Sequence, residues 1–118
     1  MVTLRQKMKI KNINNCPLTA ALSVVGGKWK PIIILNLRKS SKRFGQLDYS
    51  IPNVSRKVLA SHLNEMVKDG LITRHAYSES PPRVEYQLTE KGRELVPIFE
   101  NLADWGRYLV AEEAPVAG

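Results

Sequence analysis

Lys57, Ser61 and Asn64 recur at helical spacing, with Ser55 and Arg56 immediately before them. Lysine and arginine donate to guanine edges; serine and asparagine serve adenine edges or phosphate oxygens. Such donors on one helix face suit the reading of base edges, with Lys57, Ser61 and Asn64 as candidates. The Arg56 guanidinium and the Ser55 backbone N–H suit phosphate, because a helix N-terminus attracts anions. Lys42, Arg43 and Arg83 are further candidate backbone contacts, and Arg83 is also suited to a minor groove. Any solvated amphipathic helix also presents a polar face, so the spacing alone does not decide. The flanking elements do.

Residues 55–70 read as one helix. Ser55 is its N-cap, with a hydroxyl free to accept from an orphan backbone N–H, and Gly70 is the residue just past its end. Position 58 is Val, so no capping box forms there. At about 100° per residue, Val58, Leu59, His62, Leu63 and Met66 share one side. Lys57, Ala60, Ser61, Asn64 and Lys68 share the other, which faces out. Before this helix, Phe44, Leu47 and Ile51 mark a short helix that Pro52 stops, and residues 50–54 form a turn. After it come two strands, residues 71–77 and 83–88. In the second, Val84, Tyr86 and Leu88 alternate with Arg83, Glu85 and Gln87. The polar, proline-bearing residues 78–82 join the strands as a wing.

Two short helices precede this unit. Residues 16–25 form the first, with Pro17 in its opening turn, Leu18, Leu22 and Val25 on one face, and Gly26-Gly27 ending it. Residues 28–37 form the second, with the Ile32–Leu35 run buried and Trp29 covering the core. A last helix starts at Thr89. Its Leu95, Ile98, Leu102, Trp105 and Leu109 are spaced +3, +4, +3, +4, a heptad seam. Pro97 lies inside it and is expected to bend or break it. The predicted fold is mainly α (α+β): a winged helix-turn-helix with a two-stranded wing and terminal dimerisation helices. The predicted divisions are a basic arm over residues 1–15, a domain over 16–112 and a tail over 113–118.

Charge is divided unevenly between the halves. Residues 1–74 hold 14 Lys/Arg against 3 Asp/Glu, a net of +11. Residues 75–118 hold 4 against 8, a net of −4, and together these make the formal +7. A polyanion partner for one face follows from that split. The 118 residues suit one domain, and 43% hydrophobic with 25% charged is ordinary globular composition. The longest strongly apolar run falls far short of a membrane span, and residues 1–15 lack the apolar core of a secretory signal. A cytoplasmic location without membrane association is the expectation. The basic arm, with Arg5, Lys7, Lys9 and Lys11, is either an inert tail or a strip lying on phosphate.

Cys16 is the single cysteine, which excludes an intrachain disulfide framework. It stands at a helix start beside a basic arm, and both lower a thiol pKa. A thiolate sensor is one reading; an inert, half-buried small residue is the other. His62 is expected to pack or face phosphate. His75 has no partner at ligand spacing, so no metal site and no cofactor are expected. No nucleophile triad, paired carboxylates, P-loop or dinucleotide glycine pattern occurs, so no enzyme is expected.

Several blocks together resemble the HxlR family of bacterial transcriptional regulators: Cys16-Pro17, Gly26-Gly27-Lys28-Trp29, Arg43-Phe44-Gly45-Gln46-Leu47, Ser55-Arg56-Lys57-Val58-Leu59, Asp69-Gly70-Leu71-Ile72, Pro81-Pro82-Arg83-Val84-Glu85-Tyr86, Leu88-Thr89-Glu90-Lys91-Gly92 and Trp105-Gly106. The resemblance runs from Cys16 to Leu109. It implies a winged-helix homodimer on two-fold symmetric operator DNA, a repressor rather than an activator. It also implies a dimer interface built by the first and last helices, with Leu18, Leu95, Ile98, Leu102, Trp105 and Leu109 as its candidates. In several members the cysteine matching Cys16 senses quinones, aldehydes or oxidants, which makes a small-molecule or electrophile effector an expected partner. The family often has arginine where this chain has His62. Two other classes remain open. One is a winged-helix protein-interaction module without sequence-specific DNA binding. The other is an RNA-binding module, against which stands the lack of an aromatic platform.

Overall fold

The computed structural model describes residues 16–113; the predicted arm and residues 114–118 of the tail lie outside them. Helix α1 spans Pro17–Val25 and opens on its proline. Gly26 ends it, donating its N–H to the Leu22 carbonyl at 2.8 Å. A Cβ on Gly26 would lie 2.3 Å from that carbonyl oxygen, so only glycine fits the turn. Helix α2 is Lys30–Asn36, shorter at both ends than the expected 28–37, with Trp29 as its half-buried N-cap.

Strand β1 (Lys42–Arg43), helix α3 (Phe44–Ser50), helix α4 (Arg56–Lys68), strands β2 (Ile72–Tyr77) and β3 (Arg83–Leu88) and helix α5 (Glu90–Glu113) complete the order. The strands form an antiparallel sheet ordered β1-β3-β2. Ile33, Ile34, Leu47, Leu59, Leu63, Met66 and Ile72 are fully enclosed, so α2, α3, α4 and the sheet share one core. Leu59, Leu63 and Met66 lie on one stripe of α4, and burying that stripe leaves the opposite face to solvent.

Four expectations need correction. The two expected wing strands, β2 and β3, are joined by a third, β1, which the sequence reading took for a polar connection. Lys42 pairs with Tyr86 and Arg43 with Glu85, so the polar connection after α2 satisfies its backbone groups on the free edge of β3. Pro97 does not break α5, which continues from Glu90 to Glu113. Pro97 and Arg93 are both exposed, so the Arg93 carbonyl left without an N–H partner can be hydrated. Val58 is exposed at 40% although it was assigned to the apolar side. It stands about 100° round the helix from Leu59, at the edge of the buried stripe. Val25, placed on one face with Leu18 and Leu22, is buried with Ala20 and Val24 and holds α1 to the core, while Leu18, already assigned to the dimer surface, and Leu22 are 65% and 56% exposed.

The start of α5 is stitched to the sheet. Thr89 caps the helix by accepting from the Gly92 N–H at 3.1 Å. Its own N–H donates to the Leu71 carbonyl at 3.0 Å, and its hydroxyl donates to the Gly70 carbonyl at 2.6 Å. A Cβ on Gly92 would lie 2.1 Å from the Leu71 carbonyl oxygen. Gly92→Ala must therefore push α5 off β2, and we expect a loss of about 1–3 kcal/mol of folding stability. A chemical denaturation midpoint equal to the wild-type one would show that this approach is not tight.

Candidate nucleic-acid interface

Ser55 caps α4 by accepting from the Val58 N–H at 3.1 Å. The Arg56 guanidinium lies 3.7 Å from Asp48 and 5.3 Å from the centre of the Phe44 ring, both on α3. Its side chain is 73% exposed, so it braces the two helices and still presents charge to solvent. The turn between them holds Asn53 at φ 72, a left-handed conformation that asparagine tolerates better than most residues. Helix α3 begins with the Arg43 N–H donating to Gln46 Oε1 at 2.8 Å.

Lys57, Ser61 and Asn64 are exposed together on the outer face of α4, as their spacing predicted. Arg43 is exposed at the end of β1, and Lys42 beside it is half-buried. His62 is half-buried. Two residues of this surface escaped the sequence reading. Val58 is exposed in the first turn of α4, where an apolar contact to a thymine methyl is chemically suitable. Tyr49, 91% exposed on α3, carries a hydroxyl that suits phosphate. The signal for Tyr49 was its place off the Phe44–Leu47–Ile51 stripe.

Arg83 stands apart from these. Its guanidinium lies 3.1 Å from Glu79 and 3.5 Å from Glu85, and 4.0 Å from the centre of the Tyr77 ring. Two carboxylates and a stacked ring occupy it at the base of the wing, and 26% of its side chain is exposed. A phosphate contact would require breaking those pairs. As placed, Arg83 stiffens the hairpin.

Cys16 is the N-cap of α1 and is half-buried. The Thr19 hydroxyl, then the backbone N–H groups of Thr19 and Leu18, hold its thiol below the ordinary range by donating to the thiolate. More thiolate is therefore present at neutral pH than in a free cysteine. The charge of the basic arm, the other cause expected, lies outside the described residues.

A second surface is apolar. Leu18 and Leu22 on α1 and Ile98, Leu102, Trp105, Tyr108, Leu109 and Val110 on α5 are all exposed. Leu95, placed in the same seam by its spacing, instead packs partly buried against the core. On α5, Ile98, Leu102, Trp105 and Leu109 share one face by their spacing, and an exposed apolar row of that kind suits association. Among the described residues no single helix is long and apolar enough to cross a membrane.

A capped helix with an outward polar face, a short helix braced behind it and a hairpin wing beside it define a winged helix-turn-helix DNA-binding regulator. The comparisons make the assignment specific. Residues 24–114 match the HxlR-like helix-turn-helix family, and the chain belongs to that family. It is 45% identical over 101 residues to an HTH-type transcriptional regulator of Halalkalibacterium halodurans, covering 85% of this chain and 89% of that one. The solved structure of the HTH-type transcriptional regulator YtcD superposes with a TM-score of 0.76 at 40% identity, covering 81% of this chain and 98% of that one. The redox regulator HypR in its oxidized form superposes with a TM-score of 0.75 at 39% identity, covering 79% and 96%. The function is DNA-binding transcriptional regulation.

Proposed function

We propose that the protein is a homodimeric repressor that recognises an inverted-repeat operator and releases it when Cys16 is modified by an electrophile or oxidant. The observation that carries the reading is the pairing of two surfaces on one chain: the polar face of α4 and the exposed apolar seam along α1 and α5. A two-fold dimer through that seam presents two α4 helices, and a helix-turn-helix dimer of this kind reaches successive major grooves about 34–36 Å apart. Lys57, Ser61 and Asn64 read base edges, with Val58 as an apolar contact. Arg56, Arg43, Lys42 and the Ser55 N–H hold phosphate. Leu18, Ile98, Leu102, Trp105 and Leu109 form the dimer contact, and Leu95 supports it from beneath. The protein acts by binding, without catalysis of its own, in the cytoplasm where its DNA lies.

Two observations support the sensing half: the lowered thiol pKa of Cys16, and its position at the start of α1, the helix that carries Leu18 and Leu22. A quinone suits the chemistry. The thiolate sulfur forms one S–C bond to the ring, and the ring takes up a proton and becomes the hydroquinone. The adduct then sits beside the dimer seam.

Selection of random duplex DNA at near-physiological salt tests this, with and without quinone treatment. An enriched inverted repeat supports the dimeric reader. Loss of binding after treatment, absent in Cys16→Ser, supports the switch. Because the Cys16 pKa is lowered, its reaction rate should rise with pH through a midpoint below that of a free thiol, and Thr19→Val should move the midpoint up. No enriched motif would favour a protein-interaction module instead.

A further inference from the structure

Lys30 and Asp69 are the buried charged residues of the described chain. Lys30 stands in the first turn of α2, 7% exposed. Its Nζ donates to Glu65 Oε1 at 2.9 Å and to the Val24 carbonyl at 3.4 Å. Val24 belongs to α1 and Glu65 to α4, so one ammonium joins three helices. Nothing in the spacing of the apolar residues foretold this, because lysine is almost never fully buried.

Replacing a buried ion pair by apolar side chains of similar volume is often neutral or stabilising, and here only the Lys30 end is buried, its partner Glu65 being 45% exposed. Packing is therefore a poor account of Lys30. The best-attested use of a buried polar group is to fix register, because a directed bond specifies one arrangement where apolar contact allows several. The register in question is that of the reading helix. Glu65 lies four residues after Ser61, about 40° round the helix, so holding Glu65 holds the rotational phase of the outer face.

We propose that Lys30 is a positioning residue for DNA recognition. By anchoring Glu65 to the C-terminal turn of α1, it sets the phase and tilt of α4 relative to the helix that carries part of the dimer surface. In the dimer, that setting fixes how the two copies of Lys57, Ser61 and Asn64 are spaced. The inference rests on the DNA-recognition reading above and adds to it the residue that aligns the reader.

The test uses the full chain and the operator that the wild-type protein selects, together with versions whose half-site spacing is changed by one or two base pairs. Wild type, Lys30→Met, Lys30→Arg and Glu65→Gln are compared for affinity, spacing preference, salt dependence and thermal melting. The Glu65 side chain is 45% exposed, so water solvates the carboxylate where Lys30 stood and Lys30→Met melts close to wild type. Its affinity for the best operator falls about tenfold, the scale of one mismatched base pair, and its spacing preference flattens. The salt slope is unchanged, because no phosphate contact is lost. Lys30→Arg recovers part of the spacing preference. Glu65→Gln keeps the shape of the pair and gives the same flattening, which decides the matter should Lys30→Met melt early. Wild-type affinity and spacing preference in Lys30→Met and Glu65→Gln would overturn the inference alone. So would a loss that only tracks the unfolded fraction. A wild-type chain that selects no operator would overturn the DNA-recognition reading, and this inference with it.

Discussion

Replacing Leu102 and Trp105 together by glutamate gives a folded monomer that binds the selected operator about a hundredfold more weakly than wild type. Both side chains are more than half exposed in the protomer, so neither supports its core and the helical signal is retained. A two-fold axis duplicates every contact, so each dimer gains four carboxylates in a seam that otherwise holds leucine, isoleucine and tryptophan. Burying those charges without partners costs more than the seam returns. A single reading head then faces the DNA, and the second half-site no longer binds as an intramolecular event. Sedimentation equilibrium and operator titration check the two halves. A dimer that persists, or a monomer that binds as tightly as wild type, rules out the α1/α5 seam as the functional interface.

The second large effect is that of salt. Between 50 and 200 mM monovalent salt, operator affinity should fall by about three powers of ten. Lys42, Arg43 and Arg56 on each protomer amount to about six neutralised phosphates, and each released counterion contributes a slope of roughly −0.9 to log affinity against log salt. Arg56→Ala should make the slope shallower by one to two units on the dimer and weaken all sequences alike. Lys57→Ala should instead relax the sequence preference, since a base-edge donor discriminates between bases. An affinity that is flat in salt, or an exchange of these two phenotypes, would overturn the division of the surface into phosphate and base contacts.

The parts of this fold governed by periodicity were legible in the chain. The stripe of Leu59, Leu63 and Met66, the alternation of Val84, Tyr86 and Leu88, and the caps at Ser55 and Thr89 are local patterns, and each appears where its spacing placed it. Features that depend on long-range partners were not. Strand β1 has no apolar alternation, and only the free edge of β3 makes it a strand. Leu18, Leu22 and Val25 share a face on the helical wheel, yet Val25 is buried with Val24 and Ala20 while Leu18, assigned to the dimer surface, and Leu22 face outwards. The charge on Arg83 read as available because Glu79, Glu85 and Tyr77 meet it only when the hairpin closes. Lys30 was invisible for the same reason: Glu65 lies 35 residues away. Among the candidate DNA contacts, the three outer residues of α4 could be read from spacing. Val58 and Tyr49 needed the exposure that the fold reveals.

The stitch between Thr89 and Leu71 has a mechanical consequence. With the Thr89 N–H on the Leu71 carbonyl, its hydroxyl on the Gly70 carbonyl and no space for a Cβ at Gly92, α5 has no slack against the sheet. Helix α5 and the wing are geared together at a fixed tooth. One extra residue between Leu88 and Glu90 would advance α5 by about 100° and carry Ile98, Leu102 and Trp105 off the seam. In the dimer proposed above, the length of this junction is therefore as much a part of the operator's geometry as any side chain that touches DNA. Substitutions along the outer face of α5 leave that gearing intact, but a single inserted residue would throw it out of phase.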